Sequence, residues 1–233
     1  MSAPSRSHFT LAGCRLGAKM ALPVFPGYIV FAMAFGTAAS QKGLPLTQAM
    51  GLSGFVYAGA SQMVSLGMWQ VSWTLSTLLT LMAVTAVVNA RMILLGAALQ
   101  PWLAKEPLWR SAINLFLVTE ATWLIGTHYH QEGGRDVGVL FGLSVLLWIV
   151  WFVATVAGYF AGALVPAPER FGLDLVMPVF FGSMLVPLWK GAKPALPWLV
   201  AGAVALLVHA FVPGYLYLIL GAVSGVIAGM LIE

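Results

Sequence analysis

The chain has 233 residues, of which 61% are hydrophobic and only 8% charged, and its mean hydropathy is +0.94. An ordinary soluble domain carries about 25% charged residues, so the composition excludes a soluble globular protein and points to an integral membrane protein. The formal charge of +4 comes from eleven Lys and Arg that lie mostly between apolar runs, where they set topology rather than recruit nucleic acid, and the single cysteine, Cys14, can form neither an internal disulfide nor a cysteine-based metal cluster.

In chain order, residues 1–19 carry Arg6, Arg15 and Lys19 and read as a short cytoplasmic tail. The following MALPVFPGYIVFAMAFGTAAS lacks a short apolar core with a cleavage site, so it reads as a retained helix rather than a signal peptide. Residues 20–233 read as one transmembrane domain. Its apolar runs fall near 20–40, 47–69, 73–99, 108–128, 137–165, 173–189, 195–212 and 214–232, separated by QKGLPLT, WQVSW, PWLAKEP, HYHQEGGRD, PAPERFG, KGAKP and PG. A bilayer core takes roughly 20 apolar residues per helix, which predicts an all-α polytopic fold of six to eight spans with broken or re-entrant helices. The second run is either a span or a re-entrant element. The last pair, parted only by Pro213 and Gly214, is two short spans, a hairpin or one kinked element.

With eight full spans, Arg6, Arg15, Lys19, Arg135, Lys190 and Lys193 lie on the N-terminal side, against Lys42, Lys105, Arg110 and Arg170 on the other. A re-entrant second run gives the same ratio. Positive-inside bias therefore predicts a cytoplasmic N-terminus without deciding the span number.

Pro23, Pro26 and Gly27 punctuate the first run, Gly51, Gly54 and Gly59 the second, and Pro178, Gly182 and Pro187 the sixth. In lipid, freed backbone groups must be satisfied elsewhere, so such breaks belong where they are buried in protein or line a wet cavity, as in transporters. PVFPG at 23–27 and PVFFG at 178–182 are similar enough to mark two repeats, although a match of five is cheap in so apolar a chain.

Arg91, Glu120 and Asp174 lie in or at the ends of apolar runs. A charged residue at a helix centre costs about 2.5–3.5 kcal/mol on insertion scales and normally faces a bundle interior with a partner. The midpoint of positions 91 and 120 falls inside the loop PWLAKEP, so an antiparallel hairpin places Arg91 and Glu120 at similar depth. Either they form a structural ion pair, or each takes a ligand: a guanidinium binds a carboxylate through two hydrogen bonds, and Glu120 can accept from an ammonium or carry a proton. Asp174, just after a loop, reads as a structural acid at a helix N-terminus. In FVYAGASQM, Gly59 and Ala60 either permit close packing, with Ser61 and Gln62 bonding between helices, or let the helix open so that backbone groups and Gln62 contact a substrate.

His128 and His130 lack further ligands in sequence and read as solvent-facing rather than a metal site, and His209 as a packing residue. Trp69, Trp73, Trp102, Trp109 and Trp189 stand at run ends, as an interfacial belt requires. No cofactor is implied.

LPVFPGYIVFAMAFG (22–36), FVYAGASQ (55–62), VVNARMILLGAALQPWL (87–103), LVTEATWLIG (117–126) and FGLDLVMPVFFGSMLVP (171–187) together resemble the AzlC-type family, the large subunit of bacterial branched-chain amino-acid exporters. The resemblance implies a multi-pass inner-membrane efflux permease, driven by the proton-motive force and working with a small AzlD-type membrane subunit. It places Gly59, Ala60, Ser61 and Gln62 on the family's GASQ-like motif and Asn89 and Arg91 on its Asn-x-Arg, with Glu120 as the acid of the hairpin. Met92 follows the arginine where members of that family often have histidine, and Thr119 precedes Glu120 where an Asp-Glu pair is common. Two other classes compete. One is a non-transporting scaffold or channel component. The other is a rhomboid-like serine protease using Ser61 and His209, against which stand Gln62 in place of a glycine and the early position of the serine.

Overall fold

The computed structural model describes residues 9–69, 74–164, 182, 186, 189 and 191–232, and the regular elements among them are helices. Contacts divide the chain into two compact units, residues 1–66 with 89–173 and residues 67–88 with 174–233.

The spine of the first unit is a continuous 31-residue apolar rod, Leu11–Gln41. It consists of α1 (Leu11–Ala21), a 3-10 turn (Leu22–Val24) and α2 (Phe25–Gln41). Pro23 and Pro26 do not interrupt it because each occupies the first positions of a new helical segment, where a missing N–H costs nothing. The rod starts at Leu11, inside the expected tail, since Thr10 caps it by accepting from Gly13 N at 2.9 Å and the next residues pack against a second long helix, α8 (Val137–Leu164).

Small residues decide that packing. A Cβ on Gly17 would meet the backbone of Val139 and Leu143, one on Gly142 that of Cys14, one on Gly36 that of Thr155, one on Gly158 that of Met33 and one on Gly162 that of Thr37. Gly138 with Gly142 and Gly158 with Gly162 each give the four-residue spacing that brings backbones together in lipid. Contact numbers rise together along both helices, so the rod and α8 run in the same direction. Asp136 ties their starts together, accepting from Thr10 N at 3.1 Å, from the Thr10 hydroxyl and from Gly138 N at 2.8 Å.

Two interrupted segments enter from opposite ends of this pair. The first comprises α3 (Leu46–Gly51), a π turn (Leu52–Val56), a break at Tyr57 and Ala58, and α4 (Gly59–Gly67). It begins at the far end of α8, where Tyr159 Oη donates to Leu44 O at 2.6 Å, and descends past Thr155 and Trp148. After the break it folds back: Gln62 Nε2 donates to Ser53 Oγ at 3.1 Å, whereas a straight helix would hold residues nine apart about 13 Å from each other along its axis.

The second segment comprises α6 (Leu108–Leu117), a break at Val118 and Thr119, and α7 (Glu120–Gln131). Both its ends lie at the start of α8. Arg110 sits 4.9 Å over the Phe9 ring, which packs 5.4 Å from Phe141. At the other end His130 stacks 4.8 Å from Trp102, whose Nε1 donates to Arg135 O. The fourth apolar run is therefore a re-entrant hairpin and not the single span its length suggests. Between the two segments in sequence lies α5 (Leu75–Leu103), 29 residues long, which contributes positions 89–103 to this unit.

The second unit contains the antiparallel helices α9 (Ala192–Phe211) and α10 (Leu216–Ile232). Gly221, Gly225 and Gly229 on α10 face Ala205, Ala201 and Pro197 on α9, again at four-residue spacing. Gly214, with φ 102°, makes the turn between them. Among the described residues, four helices are long and apolar enough to cross a membrane: Leu11–Gln41, Leu75–Leu103, Val137–Leu164 and Ala192–Phe211. Asp174 and nearly all of PVFFG lie outside the described residues.

Candidate functional site

The two breaks converge on the middle of the rod and α8. At the first, Tyr57 takes a left-handed conformation, φ 44° and ψ 39°, which is uncommon for a bulky residue and ends the π turn. Its ring packs 6.2 Å from Trp151, which also meets Phe31 at 5.4 Å and Tyr28 at 5.9 Å. Gly59 follows because nothing larger fits: a Cβ there would stand 2.7 Å from Phe31 Cε1 and 2.8 Å from Trp151 Cη2.

The motif GASQ then opens α4. Ser61 Oγ donates to Ala58 O at 3.0 Å and accepts from Asn89 Nδ2 at 3.2 Å. Gln62 donates to Ser53 Oγ, which meets Thr155 Oγ1 at 3.0 Å, and Thr155 donates to Trp151 O at 2.9 Å. Ser61, Gln62, Ser53 and Thr155 are fully buried, so this chain of hydrogen bonds pins the first break to α5 and α8.

At the second break Thr119 is the N-cap of α7, in a reciprocal box with Thr122: Thr122 N donates to Thr119 Oγ1 at 3.4 Å, and Thr119 N to Thr122 Oγ1 at 2.8 Å. The Thr119 hydroxyl also meets Tyr28 Oη on α2. Glu120 is the first residue of α7, where the positive end of the helix dipole favours an acid. Its Oε1 lies 2.8 Å from Arg91 Nε, with the two side chains 37% and 32% exposed. Arg91 and Glu120, which the sequence spacing sets at similar distance from their loop, are thus in contact, and Glu120 lies within electrostatic range of the Tyr28 and Tyr57 hydroxyls.

Asn89 and Arg91 thus serve different neighbours. Two residues on a helix are about 200° apart, so α5 presents Asn89 to the first break and Arg91 to the second. The seven sequence-predicted site residues fall accordingly into Gly59, Ala60, Ser61, Gln62 and Asn89 on one side and Arg91 with Glu120 on the other. Tyr28, Phe31, Ser53, Thr119, Trp151 and Thr155 complete the surroundings and escape sequence reasoning. Only Thr119 carried a usable signal, its Thr-x-x-Thr capping pattern.

Among the described residues, Gln62 Oε1, Asn89 Oδ1 and Trp151 Nε1 are buried without a hydrogen-bond partner. Such groups are costly unless a ligand or water satisfies them, so the breaks hold spare donor and acceptor capacity beside the ion pair. Both helix N-termini at the breaks add N–H groups that lack an intrahelical acceptor.

The remaining candidates lie elsewhere. His128 is exposed and 3.4 Å from Glu132, while His130, expected to face solvent, stacks on Trp102 and its Nδ1 lies 2.8 Å from Gly134 O. Trp102 is itself buried in the cluster with Leu99, Val118 and Leu140 and is no interfacial belt residue, because the re-entrant hairpin covers it; Trp109 and Trp189 are exposed. His209 packs on Tyr217 at 4.9 Å. The described partners of Ser61, a carbonyl and an amide, are not bases that could activate a nucleophile.

Interrupted apolar helices that bring an ion pair and unsatisfied polar atoms to the middle of a helical bundle define a membrane protein built in the manner of transporters. The chain belongs to the AzlC family: the family model described as AzlC protein matches residues 23–165, more than half of it. It is 24% identical over 170 residues to an uncharacterized membrane protein of Helicobacter pylori strain J99, covering 72% of each chain. It is 29% identical over 178 residues to the inner membrane protein YgaZ of Escherichia coli K12, covering 73% of this chain and 71% of that one. No solved structure matches it significantly.

Proposed function

We propose that the protein is a bacterial inner-membrane efflux permease for branched-chain and related aliphatic amino acids, coupled to protons and working with a small AzlD-type membrane subunit. The observation that carries this reading is the Arg91–Glu120 pair at the tip of an interrupted helix. A zwitterion needs a cation for its carboxylate, an anion for its ammonium and an apolar wall for its side chain. Arg91 offers a bidentate partner to the first, Glu120 accepts from the second, and the aromatic pair Tyr28 and Trp151, reached through Thr119, offers a wall to the third.

The sign of the coupling follows. Protonated Glu120 cannot hold the ammonium, so a proton and the amino acid exclude one another at the site. Mutual exclusion is what exchange of an outgoing amino acid for an incoming proton requires. Membership of the family supports the substrate class, and the orientation with a cytoplasmic N-terminus rests on the basic residues near it.

The test is export of labelled valine, leucine, isoleucine and methionine from cells expressing the chain with and without its small partner. Efflux of at least one of them above background with the partner present is expected. Absence of efflux in both cases, with the protein in the membrane, contradicts the proposal.

A further inference from the structure

We propose that the segments 46–67 and 108–131 are two gates that enter from opposite faces of the membrane and meet at its middle, and that Asn89 and Arg91 of α5 are their separate latches. This deepens the transport reading by naming how access alternates, and it rests on that reading for its purpose, though its geometry is independent of the substrate.

Opposition of the gates follows from the shared direction of the rod and α8. Because these run parallel, the loop 42–45 and the end of α8 mark one face, and Thr10, Asp136 and the loop 132–136 mark the other. The first segment starts at the former, with Leu44 O on Tyr159, passes Thr155 at Ser53, and packs Tyr57 and Gly59 on Trp151 at its break. The second has both ends on the latter, at Phe9 and at Trp102, and reaches Tyr28 only at its break. Tyr28 and Trp151 touch, at 5.9 Å between rings, so the two tips end on either side of one aromatic contact. Phe31 and Trp151 pack against Gly59 at the first break, and Tyr28 holds Thr119 at the second.

The hold on each tip from α5 is a different side chain. Asn89 reaches Ser61 beyond the first break, and Arg91 reaches Glu120 beyond the second. One turn of one helix therefore grips both gates, from directions about 200° apart. A small rotation of α5 that improves one contact weakens the other, so the gates do not open together. This gives the Asn-x-Arg spacing a mechanical reason: adjacent residues, or residues four apart, would not divide between the two tips in this way.

The experiment uses the full chain in right-side-out and inverted membrane vesicles, with Cys14→Ala as background. Ala58→Cys and Val118→Cys are labelled with a membrane-impermeant maleimide, and Lys42→Cys and Glu132→Cys report which face is which. Ala58→Cys should react from the Lys42 face alone and Val118→Cys from the Glu132 face alone. Arg91→Gln should raise the rate at Val118→Cys at least fivefold and leave Ala58→Cys unchanged, and Asn89→Leu should do the reverse. Reaction of both tips from one face, equal acceleration of both tips by either latch variant, or no reaction at either tip even in the latch variants would overturn the proposal. Labelling needs no transported solute. A failed export assay with sided labelling removes the substrate reading alone, and intact export with unsided labelling removes the gates alone.

Discussion

At the residue scale, the site depends on what is missing at position 59 and what is present at 119. Gly59 admits the edges of Phe31 and Trp151, and a side chain there must push both rings away. Gly59→Val should lower export at least tenfold at equal membrane abundance, whereas Gly27→Ala, which faces open space, should leave it unchanged; equal export by the two variants would show that the contact does not matter. Thr119 stands where the sequence resemblance leads one to expect an aspartate before Glu120. The departure keeps the local structure, because Thr and Asp are both good N-caps. Thr119→Ser should retain stability and Thr119→Val should lose about 1 kcal/mol from the cap, measured by thermal unfolding in detergent. A Val variant as stable as Ser would remove the capping role.

At the element scale, the rod and α8 come together at glycine backbones, with Phe35, Leu143 and Leu147 buried beside them, as expected where lipid is as apolar as leucine. Gly142→Leu and Gly158→Leu must separate α8 from the rod and should each lower the unfolding temperature markedly, since overpacking costs typically 1–3 kcal/mol. Gly202→Leu, at a position with nothing within 4 Å among the described residues, is the control and should change little. Legibility at this scale was uneven. The glycines of the second run announced a break, and loop symmetry located the Arg91–Glu120 pair. The break at Val118 and Thr119 was hidden because neither residue is Gly or Pro. What ends α6 there is an extended Val118 and a capping box read only over four residues. Hydropathy also could not tell the hairpin of α6 and α7 from a crossing, because its length and predominantly apolar composition suit either; contacts of its ends with Phe9 and Trp102 decide it. Trp151 and Tyr28 gave no signal at all, being aromatic residues within apolar runs.

At the scale of the whole molecule, the AzlC family assignment and the helical membrane fold were legible from composition and motif order, while the opposed entry of the two broken segments is a property of tertiary packing. Proton coupling is the claim on which the account turns, and it depends on one carboxyl group. The direct measurement is leucine transport in proteoliposomes holding the protein with its small partner, comparing Glu120→Gln with the unaltered chain, with and without an imposed proton gradient. The account predicts gradient-driven, pH-dependent transport by the unaltered chain, and for Glu120→Gln at least a tenfold loss of the gradient-driven component with no remaining dependence on pH. Gradient-driven transport by Glu120→Gln with an unchanged pH dependence would contradict it.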